Sequence, residues 1–380
     1  MTSLQELIEN AVQDRGLIYT AIGNLGNTIL GAIFWFILAS IVKVSEYGLV
    51  NYIIASAVIP ASIAVLGLNT TVTTFLAKGY KDIVYESNSI ILISSIMASV
   101  ATFLLYGFEA ALITAALMYF TMSIAMLVGS KRFDEYAATI IVERIIQIIS
   151  SIALYIYIGA EGILVGYALG PLITSYRYFT TLRHFTLKFS QVKEKIFFTI
   201  HSYGLTITQT FSLYLDKIIV GALFGFTVLG LYQLAFQFLM LIMVIPSILF
   251  TYMLPQEASG SHKREIKYLG IAISIMIFLL MVFGSPIAIP ILFPSYIDSI
   301  ILIQIMSIAI IPVTIVSVIN AKLLGNENSR LAFEGGLAYL ISLAILLPSL
   351  GFILNSLGLA FAVVLASFVR AGYLLTKAGI

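Results

Sequence analysis

From Leu17 onward the chain returns repeatedly to stretches of about 20 almost wholly apolar residues, the length a helix needs to cross a hydrocarbon core. They fall near 17–41, 48–72, 88–107, 109–129, 136–158, 162–180, 198–223, 228–252, 267–290, 296–324, 331–349 and 355–378. No water is available there to satisfy backbone polar groups, so only helices or closed barrels are allowed, and runs this long select helices. Charge agrees. Only 10% of the residues are charged, against about a quarter in a soluble domain. The sequence predicts an all-α polytopic protein of the cell membrane with about twelve transmembrane helices. The absence of cysteine excludes disulfides, thiolate metal sites and cysteine nucleophiles. A net charge of +2 gives no reason to expect nucleic acid.

Residues 1–16 include Glu6, Glu9 and Asp14 but no basic cluster, so they read as a cytoplasmic interfacial segment rather than a cleaved signal. Basic residues set the orientation. Lys43 alone falls on the side opposite the N-terminus, and Arg144 and Lys217 fall within spans. The other 17 of 20 Lys and Arg lie on the N-terminal side. That side is predicted to be cytoplasmic, with both termini on it.

The longest basic stretch, Arg183 to Lys195, has six spans on either side. This predicts a six-helix bundle over 17–182, a basic cytoplasmic linker over 183–197 and a second six-helix bundle over 198–380. The bundles look related at an offset of 182 residues: Gly48 falls on Gly230, Leu49 on Leu231 and Asn51 on Gln233. An even number of spans per repeat makes the repeat parallel, and such pairs work by alternating access. The same offset aligns Thr20, Asn24 and Asn27 with Ser202, Thr206 and Gln209. Each set occupies one helical face, extended in the second case by Asp216. A polar stripe in a span faces either a neighbouring helix or a wet cavity.

Several segments resemble a known family. Tyr214–Gly221 and Gly230–Ala235, with Asp216, Gly221, Gly225, Gly230 and Tyr232, are similar to the seventh-to-eighth span signature of the polysaccharide transporter branch of the multidrug/oligosaccharidyl-lipid/polysaccharide (MOP) exporter superfamily. Ser45–Gly48, Pro255, Phe293–Tyr296 and Lys322–Asn326 also resemble it. The resemblance implies two pseudo-symmetric six-helix bundles in a V, the MOP flippase or MATE-like fold. It further implies transport of a lipid-linked oligosaccharide from the cytoplasmic to the outer leaflet. No cofactor is expected.

Charges inside spans are the candidate solute contacts. Arg144 suits the phosphate of a lipid-linked glycan, since a guanidinium can hold two phosphate oxygens. The alternatives are a carboxylate from a neighbouring span, or snorkelling. Adjacent Glu143 points about 100° away around the helix. Asp216 is read as an ion-pair partner, with proton or sodium coupling as the alternative. Lys217 is expected to snorkel outward, and Arg177 and Arg370 to snorkel at cytoplasmic helix ends or line a headgroup entrance. Asn51, Gln233 and Gln237 suit sugar hydroxyls or helix-to-helix bonds. Pro60, Pro246, Pro290 and Pro312 are expected to bend their helices. A multidrug or cation antiporter of the same superfamily is the competing transporter. A membrane-embedded glycan polymerase or ligase is disfavoured, because His184, His201 and His262 all lie on the predicted cytoplasmic side and no nucleophile–base pair is evident.

Overall fold

The computed structural model describes residues 15–260 and 264–378. The segment up to residue 14, expected at the membrane surface, lies outside the described residues, as do His262 and Lys263. Ten described helices are long and apolar enough to cross a membrane. One of them, Ser329–Ala378, joins two limbs at Asn355, where φ 52° and ψ −135° depart from the helix. A Cβ built on Gly358 would lie 2.0 Å from the Leu350 carbonyl oxygen, so the chain doubles back there. The sequence places this turn near Gly351, but the structure puts it at Asn355. Asn tolerates a left-handed backbone, while Gly351 and Gly358 serve the close approach of the limbs. With both limbs and the shorter apolar helix Ala160–Thr174, the expected passages are present.

The surface is apolar: Leu104, Ile156 and Ile353 are 76%, 75% and 72% exposed. Asn51, Glu143, Gln147, Asp216, Lys217 and Gln233 are buried instead. Lipid rewards this arrangement, since it solvates leucine and rejects charge.

Contacts divide the chain into two compact units. The first contains residues up to Leu38 together with Ile53–Thr210. Its helices are α1 (Arg15–Ile41), most of α2 (Val44–Ala64), α3 (Leu68–Ala77), α4 (Asp82–Tyr106), α5 (Phe108–Gly129), α6 (Phe133–Ile158), α7 (Ala160–Thr174), α8 (Tyr176–Thr181), α9 (Ser190–Glu194) and the start of α10 (Ile196–Phe224). Val72, Ile83, Ile91, Met118, Met122 and Tyr178 form its main core. The second predicted span is broken between α2 and α3, where Leu66 and Gly67 both have positive φ, 56° and 73°. The break lets α10 approach: a Cβ on Gly67 would lie 2.7 Å from the Thr199 carbonyl oxygen, and the Thr71 and Thr199 hydroxyls are 2.8 Å apart. Along α7, Gly162, Gly166 and Gly170 face α6 so closely that a Cβ would come within 2.2, 2.3 and 2.6 Å of Leu154, Ser151 and Glu143 backbone atoms. Small residues spaced by four permit this contact in a bilayer.

The second unit contains Ala39–Tyr52 and the chain from Phe211 onward. It adds α11 (Phe226–Ile242), α12 (Val244–Ala258), α13 (Arg264–Leu292), α14 (Ser299–Ser307), α15 (Ile310–Gly325) and α16 (Ser329–Ala378). Val316, Ile319, Leu323 and Leu374 form one core cluster, and Leu249, Met253 and Ala321 another. Pro246 lacks the N–H that would bond the Ile242 carbonyl, and α11 ends at Ile242. Pro312 stands in the same relation to Ile308, where α14 gives way to α15. Pro60 and Pro290 lie inside continuous helices.

Candidate functional site

In the first unit, polar side chains of α1 meet polar side chains of α6. Tyr136 donates its hydroxyl to Asn24 Oδ1 at 2.8 Å. Arg144 donates to Asn27 Oδ1 from Nε at 3.1 Å and from Nη2 at 3.0 Å. A third bond runs from Arg144 Nη1 to Gln147 Oε1, and Gln147 Nε2 donates to the Tyr167 carbonyl at 3.3 Å. The α6–α7 glycine contact fixes this chain of bonds, because Gly170 sits against Gln147. The Arg144 side chain is 18% exposed, and the nearest Glu143 oxygen stands 3.9 Å from its Nε. The guanidinium is thus oriented mainly by neutral amide oxygens, with a carboxylate at the edge of ion-pair range.

The second unit carries a tighter charge pair. Lys217 Nζ donates to both Asp216 oxygens at 3.1 Å and to the Leu213 carbonyl at 2.6 Å. Tyr232 donates to Asp216 Oδ2 at 2.8 Å. The ammonium lies 3.9 Å from the centre of the Phe236 ring, in cation–π contact. The predicted outward snorkelling of Lys217 is therefore incorrect: the residue is only 5% exposed. The carboxylate and the ring hold the ammonium inside.

The family model for polysaccharide biosynthesis proteins matches residues 14–256, more than half of the chain. The chain belongs to that family. Among solved structures the fold is similar to the lipid II flippase MurJ in an inward closed conformation, with a TM-score of 0.72 at 13% identity over 96% of this chain and 88% of that one. It is also similar to an inward-facing multidrug resistance MATE family transporter of the MOP superfamily, at 0.68 and 15% over 93% and 94%. A MOP superfamily transporter from Pyrococcus furiosus gives 0.54 and 13% over 95% and 94%. No curated protein matches the sequence. The chain is a multi-pass membrane protein of the polysaccharide biosynthesis family, with a fold similar to those of the MurJ flippase and MATE transporters.

The remaining candidates in this family member divide between the two units. Asn51 is buried and donates to the Tyr47 carbonyl at 2.9 Å. Gln233 is buried and its Oε1 has no partner. Gln237 lies against the Tyr47 hydroxyl. Arg370 is half-buried, with an unpartnered Nε and Tyr339 nearby. Arg177 pairs with Glu135 instead of reaching out alone. Gln209 is exposed, and Ser202, Thr206 and Thr210 on its helix turn back to their own backbone. In the α1 stripe Asn24 and Asn27 thus make helix-to-helix bonds, whereas Thr20 and these α10 hydroxyls turn back to their own helices.

Sequence reasoning missed Gln147, Tyr136 and Tyr167 as partners of the first cluster, and Phe236 in the second. Gln147 had a signal, since it lies three residues after Arg144 on one helical face. Tyr167 had none, because it enters through the turn at Gly159.

Proposed function

We propose that this transporter flips a lipid-linked oligosaccharide, a polyprenyl-phosphate or -pyrophosphate glycan, from the cytoplasmic to the outer leaflet by alternating access. The observation that supports it is Arg144, a guanidinium within a span whose direct hydrogen bonds go to Asn27 and Gln147. A guanidinium has five N–H donors, and neutral partners leave its charge available to a phosphate. Asp216, in contrast, already has Lys217 and Tyr232, so it serves as a structural pair rather than a cation site. Asn24, Asn51, Gln209, Gln233 and Gln237 are assigned to sugar hydroxyls, and Arg370 to the charge of the headgroup. The predominantly basic side is the cytoplasmic one.

The test is saturable binding of a synthetic polyprenyl-pyrophosphate sugar to the purified protein. Arg144→Ala is expected to weaken it by about tenfold or more, the loss of a charge-assisted contact. A second reading rests on Glu143, a buried carboxylate at 4% exposure. A multidrug antiporter needs such a group for proton or cation exchange. Affinity for organic cations, abolished by Glu143→Gln and accompanied by no glycolipid binding, would transfer the assignment to that reading.

A further inference from the structure

Within the first unit, one end of the bundle holds a cavity of about 280 Å³ where α4 begins, α5 ends and α8 passes. Three cations line it: Lys81, Arg132 and Arg177. Arg132 and Arg177 share a single carboxylate, Glu135. Three positive charges therefore face one negative charge. Arg177 Nε is buried and has no acceptor. A buried donor without a partner points to an acceptor that completes it. Ser130 and Thr180 add hydroxyls to the same wall, while Val84, Met126 and Leu127 form an apolar side.

The chemistry of this lining is specific. Excess positive charge, a guanidinium with an orphan donor and hydroxyls select a tetrahedral oxyanion. The adjoining apolar wall selects one that carries hydrocarbon. A basic pocket at the end of a transmembrane bundle, on the side where the chain's positive charge is concentrated, meets phospholipid headgroups. We infer that this cavity binds the phosphodiester headgroup of an anionic membrane lipid, as a resident lipid distinct from the cargo. The inference does not use Arg144, and it assigns Arg177, which the sequence offers as a lining residue of a cargo headgroup entrance, to the resident lipid; Lys81 has no cargo role, so its variant tests the cavity independently of the proposed flippase activity.

Phosphatidylglycerol is the probe. The protein is placed in phosphatidylcholine nanodiscs with and without phosphatidylglycerol, and retained lipid is counted by native mass spectrometry beside the thermal midpoint. Wild type should retain phosphatidylglycerol in preference to phosphatidylcholine and melt higher with it. Arg177→Gln and Lys81→Gln should each lower that preference roughly fivefold. Arg177→Gln also breaks the pair with Glu135, whereas Lys81 has no ion pair among the described residues. Lys81→Gln thus keeps the test decisive if the arginine variant folds poorly. Equal retention of both lipids by wild type, or a preference unchanged in both variants, would overturn the inference. Inorganic phosphate giving the same stabilisation as the lipid, lost in the same variants, would overturn the lipid assignment in favour of a soluble phosphate.

Discussion

Gly48 and Gly230, equivalent positions of the two repeats, cross backbone to backbone in the second unit. A Cβ on Gly48 would fall 1.8 Å from the Phe226 carbonyl oxygen, and one on Gly230 would fall 2.0 Å from that of Val44. Val44 and Phe226 are also 182 residues apart, so the contact is reciprocal at that offset. Backbone atoms cannot swing aside. Gly48→Ala or Gly230→Ala is therefore expected to destabilise the protein by about 1–3 kcal/mol or more. Gly284→Ala, with nothing within 4 Å of the new methyl, should be neutral or stabilise by about 0.5–1 kcal/mol. Thermal unfolding in one detergent measures all three.

The α6–α7 hairpin makes a related prediction about Arg144. A methyl on Gly166 would lie 2.3 Å from the Ser151 backbone nitrogen. It would push α7 off α6 and strip the Tyr167 carbonyl from Gln147, which helps hold Arg144. Gly166→Ala should cost about 1–3 kcal/mol in thermal unfolding. Glycolipid affinity should fall with it, although no residue of the candidate site has changed.

Asn27→Asp tests the reading of Arg144 without removing it. The new carboxylate would stand where Arg144 already donates two bonds, and a charge-assisted pair is the stronger one. Stability should hold or rise. Affinity for a phosphate-bearing lipid should drop by about tenfold or more, because the guanidinium is then neutralised. Unchanged affinity in isothermal titration would show that Arg144 does not meet the phosphate.

Asp216 and Lys217 should behave as a unit. Lys217→Met leaves a buried carboxylate uncompensated, at a cost of about 3–5 kcal/mol. Asp216→Leu combined with Lys217→Met removes both charges and should recover most of that loss, less the bond from Tyr232. A double-mutant cycle on unfolding free energies provides the measurement.

The chain has no cysteine, which makes orientation directly testable. In right-side-out vesicles, an impermeant maleimide should label Glu161→Cys at once and Lys188→Cys only after permeabilisation. Both positions are exposed. The opposite pattern would invert the assignment of the basic side to the cytoplasm.

The sequence made much of the fold legible because lipid imposes a simple rule on every span. The passages follow from hydropathy, and the correspondence of Gly48 with Gly230 from the 182-residue offset, though not their contact. Arg144 and Asp216 stood out because a charge within a span is costly and needs a reason. Their partners were another matter. Lys217 was expected to reach outward, yet Asp216 and the Phe236 ring, four residues beyond Tyr232 on the next helix, hold it inside.

What the sequence determined by itself, then, is the helical membrane architecture and which few charges fall within spans, since these depend on local composition against a uniform solvent. Only the tertiary structure decided that Ala39–Tyr52 packs with the chain from Phe211 onward and that Ile196–Thr210 packs with the first unit. It also decided that Arg144 rests on amides while Asp216 is met by an ammonium. Those outcomes depend on which helix faces present small residues to one another. Close approach of backbones, at Gly67, Gly166 and Gly230, is a property of pairs of surfaces that no single stretch of sequence contains.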